Sequence, residues 1–133
     1  MIATLDTNVL VSGTVFGGVP GSIINAAVDR RFILALSPAV LHEYEGVLYR
    51  SKFGLLPEAV ELLVRDMESH AHIVHPTKKH QIVADDPDDD VVVDCAVEAK
   101  ADVIVSGDSH LIGLRQVEGI PVITPAEFLE MLK

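Results

Sequence analysis

The sequence contains no tryptophan, and four phenylalanines and two tyrosines make up the rest of its aromatic complement. The core of a 133-residue chain of this kind must therefore be aliphatic, built from Val, Ile, Leu and Ala. A single cysteine, Cys95, excludes an internal disulfide and a cysteine-based zinc cluster. No apolar run approaches the ~20 residues that a membrane-spanning helix needs. The opening MIATLDTNVLVSG lacks the basic start of a secretion signal and is interrupted by Asp6, so it reads as a strand. Basic residues are also scarce, 10 against 20 acids, for a formal net charge of -10. Nucleic-acid affinity comes largely from Lys and Arg, so this balance opposes a nucleic-acid-binding role unless the acids are gathered in one place for chemistry. These absences describe a cytoplasmic protein with one domain over residues 1–133 and no membrane partner.

What is present is an alternation of strand and helix patterns. Residues 2–5 read as a buried strand, followed by a loop through Gly13, Gly17, Gly18 and Gly21. Helical spacing covers residues 22–31, a second strand residues 32–36, and Ser37-Pro38 starts a helix running to about Tyr49. Residues 57–70 carry the clearest amphipathic stripe, Val60, Leu63, Val64 and Met67. A short strand at 71–75, a helix at 89–100, a buried strand at 102–106 and a short helix after Gly107 follow. The last strand is at 121–123, and Thr124-Pro125-Ala126-Glu127 reads as a capping box opening the final helix. Such alternation predicts an α/β fold, a three-layer α/β/α sandwich around a central parallel sheet. In these sheets functional residues gather beyond the carboxyl ends of the strands.

That rule gathers several acids. Asp6 closes the first strand and Asp108 follows the strand at 102–106, so both reach one sheet edge if the strands are parallel. Glu43 lies two turns into the helix after the second strand, and Asp89 and Asp90 open the helix before the fourth. Each has an ordinary reading: Asp6 as a turn cap, Glu43 as a solvated helix residue, Asp89 or Asp90 and Asp108 as helix caps. Jointly they have another. Two carboxylates ~4 Å apart repel by ~4 kcal/mol at a surface-like dielectric. Converging acids therefore call for protons or a cation. An all-oxygen ligand set favours Mg²⁺ or Mn²⁺ over zinc, and a metal so held suits attack on phosphate.

The motifs LDTNVLVSG, LSPAVLHEYEGVL and DPDDDVVVDCAVEAKADVIVSGDSHLI, in this order, resemble those of the PIN-domain family. The resemblance covers nearly the whole chain, and is closest to bacterial and archaeal PIN proteins of toxin–antitoxin (VapC-like) systems. It implies cleavage of single-stranded RNA with Mg²⁺ or Mn²⁺, a homodimer, and an antitoxin protein as partner. By motif match Asp6, Glu43, one acid of the DPDDD run and Asp108 become the metal-site acids, and Asn8 and Ser106 support them by hydrogen bonding. Related sequences often read Asp-Asp-Asn where this chain has Asp88-Asp89-Asp90, so the third acid is Asp89 or Asp90. Helix geometry favours Asp89, which shares a face with Val92, Val93 and Ala96.

Two other classes remain open: an aspartate-based phosphohydrolase with Asp6 as nucleophile, and a catalytically silent binding module. His42 and His110 neighbour the acids, whereas His70, His72, His75 and His80 read as surface residues, and Cys95 as a small core residue. The pairs Arg30-Arg31 and Lys78-Lys79, and Arg50 with Lys52, read as solvated surface, with one of them able to border an RNA path. Leu55 and Leu56 offer a little apolar surface for a dimer.

Overall fold

The computed structural model describes residues 1–80 and 87–133, with the side chains of Ser51, Pro87, Asp88 and Asp89 outside that description. Among these described residues six strands form one sheet: β1 (Ile2–Leu5), β2 (Ile33–Leu36), β3 (His72–Ile73), β4 (Val103–Val105), β5 (Gln116–Val117) and β6 (Ile120–Ile123). Their spatial order is β3-β2-β1-β4-β6-β5, parallel throughout except for the β5–β6 hairpin. Successive residues of a strand face opposite sides of the sheet. Ala3, Thr4 and Leu5 are all buried, as are Val103, Ile104 and Val105, so the two central strands are covered on both faces. This is the α/β/α sandwich with a mostly parallel sheet that the alternation predicts.

Among the described residues seven α-helices supply the covering layers: α1 (Thr7–Val15), α2 (Gly18–Val28), α3 (Pro38–Leu48), α4 (Pro57–Ser69), α5 (Pro87–Ala99), α6 (Ser109–Leu114) and α7 (Pro125–Met131). Among the described residues no single helix is long and apolar enough to cross a membrane. Ser37 caps α3 with Pro38 at its first position, and Thr124 and Glu127 form the expected capping box on α7. Along α5 the stripe Val92, Val93 and Ala96 is buried, and the helix packs on β1, β2 and β4. Cys95 is buried, its thiol lying near Thr4 and the Ala35 carbonyl, and burial pushes its pKa up to about 11.

Two segments differ from the pattern-based expectation. The stretch read as a loop after β1 is helical on both sides of a sharp corner: α1 begins directly after Asp6, and α2 begins at Gly18. Its glycines mislead because one of them serves packing. A Cβ at Gly13 would lie 2.8 Å from the Pro20 carbonyl oxygen and 2.4 Å from Ile24 Cδ1, so Gly13 lets α1 and α2 approach closely. Strand β5 is the second difference. It is two residues long, and is joined to β6 through Glu118 and Gly119, both at positive φ (51° and 78°), the geometry that a tight hairpin demands.

Candidate active site

The parallel register of β1 and β4 sets Leu5 against Val105, so Asp6 and Ser106 emerge level with each other at the carboxyl edge. The Asp6 backbone N–H donates to the Val105 carbonyl (3.0 Å), which carries the pairing to the edge. Asp6 then caps α1, its Oδ1 accepting from the Val9 N–H at 2.9 Å. Its Oδ2 accepts from the Ser106 hydroxyl. That same hydroxyl oxygen accepts the Asp108 N–H at 2.9 Å, so one buried serine ties the two acids together. Asp108 caps α6 in turn, accepting from the His110 N–H at 2.7 Å, with the His110 ring 3.5 Å from the same oxygen.

Both acids thus fill the ordinary capping role as well as converging, and the cap bonds fix the direction of each carboxylate. They differ in exposure. Asp6 is 3% exposed as a residue, whereas the Asp108 side chain retains 17%. Burial raises the Asp6 carboxyl above its usual range. The Ser106 hydroxyl and the Val9 N–H pull it back, and the Asp108 charge adds to the rise. The Gly107 backbone N–H adds a smaller pull in the same direction, yet burial still wins, and a buried carboxylate with a like charge nearby is held in its ionised form most readily by a cation. The donors here are hard oxygens, which fit Mg²⁺ or Mn²⁺.

Asn8, exposed on the first turn of α1, lines a cleft of about 340 Å³ together with Gly107, Asp108 and Pro125. Glu43, half-buried on α3, accepts from the Thr7 hydroxyl at 3.2 Å, which places it beside the residue that follows Asp6. The acid run divides differently. Asp90, in the first turn of α5, lines a cavity on the β2 side with Ser37, not the cleft of Asn8 and Asp108. Asp89 lies in the same turn of helix, but its side chain is outside the described residues. Among the described residues no group of three or more His, Cys, Asp or Glu is close enough to hold a metal ion.

His42 is exposed, while His110 does approach Asp108. His80 is not the surface residue that its sequence context suggests. Its ring Nδ1 and its backbone N–H both lie 2.7 Å from Asp94 Oδ1, and both side chains are only 14% exposed. Nothing in the sequence spacing signals that pair, because the two residues stand fourteen positions apart with no periodic pattern joining them.

A family profile described as PIN domain matches residues 3–110. The crystal structure of PAE2754 from Pyrobaculum aerophilum is similar over 99% of this chain and 89% of that one, with a TM-score of 0.68. The two are 14% identical, so this likeness speaks for the fold. No curated protein matches the sequence.

Proposed function

This chain belongs to the PIN-domain family, whose members are generally nucleases that use divalent metal ions, and on that premise we propose that it is an endoribonuclease for single-stranded RNA working with Mg²⁺ or Mn²⁺. The observation that carries this reading is the Asp6–Ser106–Asp108 arrangement, in which one buried hydroxyl donates to the Asp6 carboxylate and accepts from the Asp108 backbone N–H at the end of adjacent parallel strands. In it Asp6 and Asp108, with Asp89 or Asp90 from α5, hold the metal, and Glu43 completes the shell or orients the attacking water. A bound divalent ion would activate water and stabilise charge on the attacking and leaving oxygens of the phosphodiester. The chain's own part is positioning. The caps on α1 and α6 aim the carboxylates, Ser106 spaces them, and Asn8 offers an exposed amide at the cleft to orient the substrate.

We extend the reading to the toxin component of a toxin–antitoxin pair, acting in the cytoplasm as a homodimer, with an antitoxin protein covering the acidic cleft. Exposed apolar side chains support a partner surface: Leu56 at the start of α4 is 68% exposed and Phe16 after α1 is 74% exposed. Sedimentation that gives a monomer at high protein concentration would remove the dimer.

A second reading, a catalytically silent module with the same fold, draws on the capping role of both acids, which gives each a structural reason to be present. The phosphohydrolase reading is less favoured, because the position two residues after Asp6, where a common phosphatase pattern has a second acid, is Asn8. Cleavage of a panel of single-stranded RNAs by the purified protein separates these readings. We expect cutting in Mn²⁺ or Mg²⁺ and none after chelation. Failure to bind Mn²⁺ would favour the silent module instead.

A further inference from the structure

A second cavity opens on the same sheet edge. The β1–β2 register sets Ala3 against Leu34, so three residues further on Asp6 lies level with Ser37. Ser37 lines this cavity, of about 430 Å³, together with Lys79, His80, Asp90 and Asp94. The volume falls within the ~300–1,000 Å³ typical of small-ligand sites. Ala39, Pro76 and Val91 give it an apolar wall. Half-buried Asp94 accepts from His80 twice, through the backbone N–H and ring Nδ1. A carboxylate oxygen accepts, so ring Nδ1 donates to Asp94 and the pair fixes the plane of the imidazole at the cavity wall.

We propose that this cavity receives one nucleotide of the RNA beside the cleaved phosphate, with Lys79 on the strand's phosphate, His80 on the base, and Asp94 as the positioning residue that fixes the imidazole. This inference rests on the ribonuclease reading and names a subsite for it. The chain has only 10 basic residues, and Lys79, exposed at the rim, puts one of them one strand away from the acidic edge. A nucleic-acid strand that must approach clustered acids needs such a cation to hold its phosphates. Asp90 and Asp94 on the wall disfavour a free phosphate inside, so the base and ribose enter against Pro76 and Val91 while the phosphate stays at the rim. A metal is the competing occupant of a His–Asp pair. The described residues contain no converging group of three ligands, and Asp94 Oδ1 is already committed to His80.

The test has two arms in Mg²⁺ buffer. In the first, AMP, UMP and inorganic phosphate are titrated against the full chain while the His80 ring resonances are followed. The nucleotides are expected to shift them and phosphate alone is not. The second arm compares wild type with Lys79→Ala and His80→Gln on a single-stranded RNA. Lys79→Ala, at an exposed position that should not disturb folding, is expected to raise KM about three- to tenfold at unchanged kcat. It should also reduce the slope of log affinity against log salt by about 0.7, the signature of one lost phosphate contact. His80→Gln should alter the preference among bases. Absence of a nucleotide-induced His80 shift, or a Lys79→Ala enzyme with unchanged KM and salt slope, would overturn the subsite. If wild type cuts no RNA at all, it is the ribonuclease reading that fails, and the nucleotide titration alone then decides the cavity.

Discussion

Asp6 and Asp94 lie close to one sheet edge, on either side of the β1–β2 seam, and are held in opposite ways. Asp94 has a compensating partner, accepting two bonds from His80 at 2.7 Å. Asp6 is more deeply buried, accepts from the Ser106 hydroxyl and from the backbone at Val9 and Gly107, and feels the charge of Asp108. Two residues of the same chemistry therefore make different demands. The first is met by a paired histidine, while burial and the Asp108 charge hold the carboxyl of the second above its usual range despite its hydrogen bonds. An acid without local compensation is the better marker of a metal-binding role than an acid that is merely buried.

The sharpest way to break this contrast is to change each acid to its amide. Asp6→Asn should lower metal-dependent RNA cleavage by more than the ~10–100-fold that losing an outer-shell partner costs. It should also weaken Mn²⁺ binding, read by titration. In metal-free buffer its thermal stability should be unchanged or raised, because Asn still caps α1 and a disfavoured charge has gone. Asp94→Asn should leave Mn²⁺ affinity as it was. Equal loss of Mn²⁺ binding in both variants would abolish the distinction.

Ser106→Ala comes next in size. It removes the hydroxyl that donates to Asp6 and accepts from the Asp108 N–H. Cleavage should fall about 10–100-fold with the fold retained, checked by single-turnover kinetics beside a melting curve. A fall in stability without a fall in rate would mean that the serine serves only to finish β4.

The smallest effect concerns the ground that both regions share. Helix α5 packs on β1 and β2, and Cys95 lies between them, near Thr4 and the Ala35 carbonyl. Its folded pKa of about 11 is above the ordinary 9.0. The neutral thiol is thus favoured by folding. The corresponding stability is complete below pH ~9 and is lost as pH rises towards 11, a total of about 2–3 kcal/mol. Denaturant unfolding of wild type and Cys95→Ala across that window should show the extra decline only in wild type. Identical slopes would mean that the thiol is solvated, and that the floor beneath the two regions is less closed than the packing suggests.

The sequence made most of this frame readable, because a fold of this class writes itself in long periodic segments. The Ser37-Pro38 and Thr124–Glu127 start signals and the stripe on α4 are local features, and local features survive in a linear reading. What was hidden depended on contact between segments. Helix α1 reads as a loop because TNVLVSG has β-branched residues and a glycine, and only the packing of Val9, Leu10 and Val11 into the core makes it helical. Gly13 signals a break in the sequence but serves a helix crossing in three dimensions. The acids Asp6 and Asp108 could be placed on one edge by strand order alone. The Ser106 bridge was anticipated only through family likeness, and the His80–Asp94 pair was not visible by any periodic rule.

The capping of α1 by Asp6 and of α6 by Asp108 has a consequence for how such a chain can change over generations. Replacement by a residue that cannot cap would weaken the start of a helix, by about 1 kcal/mol, besides removing the carboxylate. Asparagine keeps both the cap and the shape of the side chain, and an aspartate codon becomes an asparagine codon by substitution of its first base. The shortest mutational path from an active PIN domain of this build to an inert, well-folded one therefore passes through either of two single-base changes. A lineage that needs a binding scaffold in place of a nuclease has that route available at almost no structural cost.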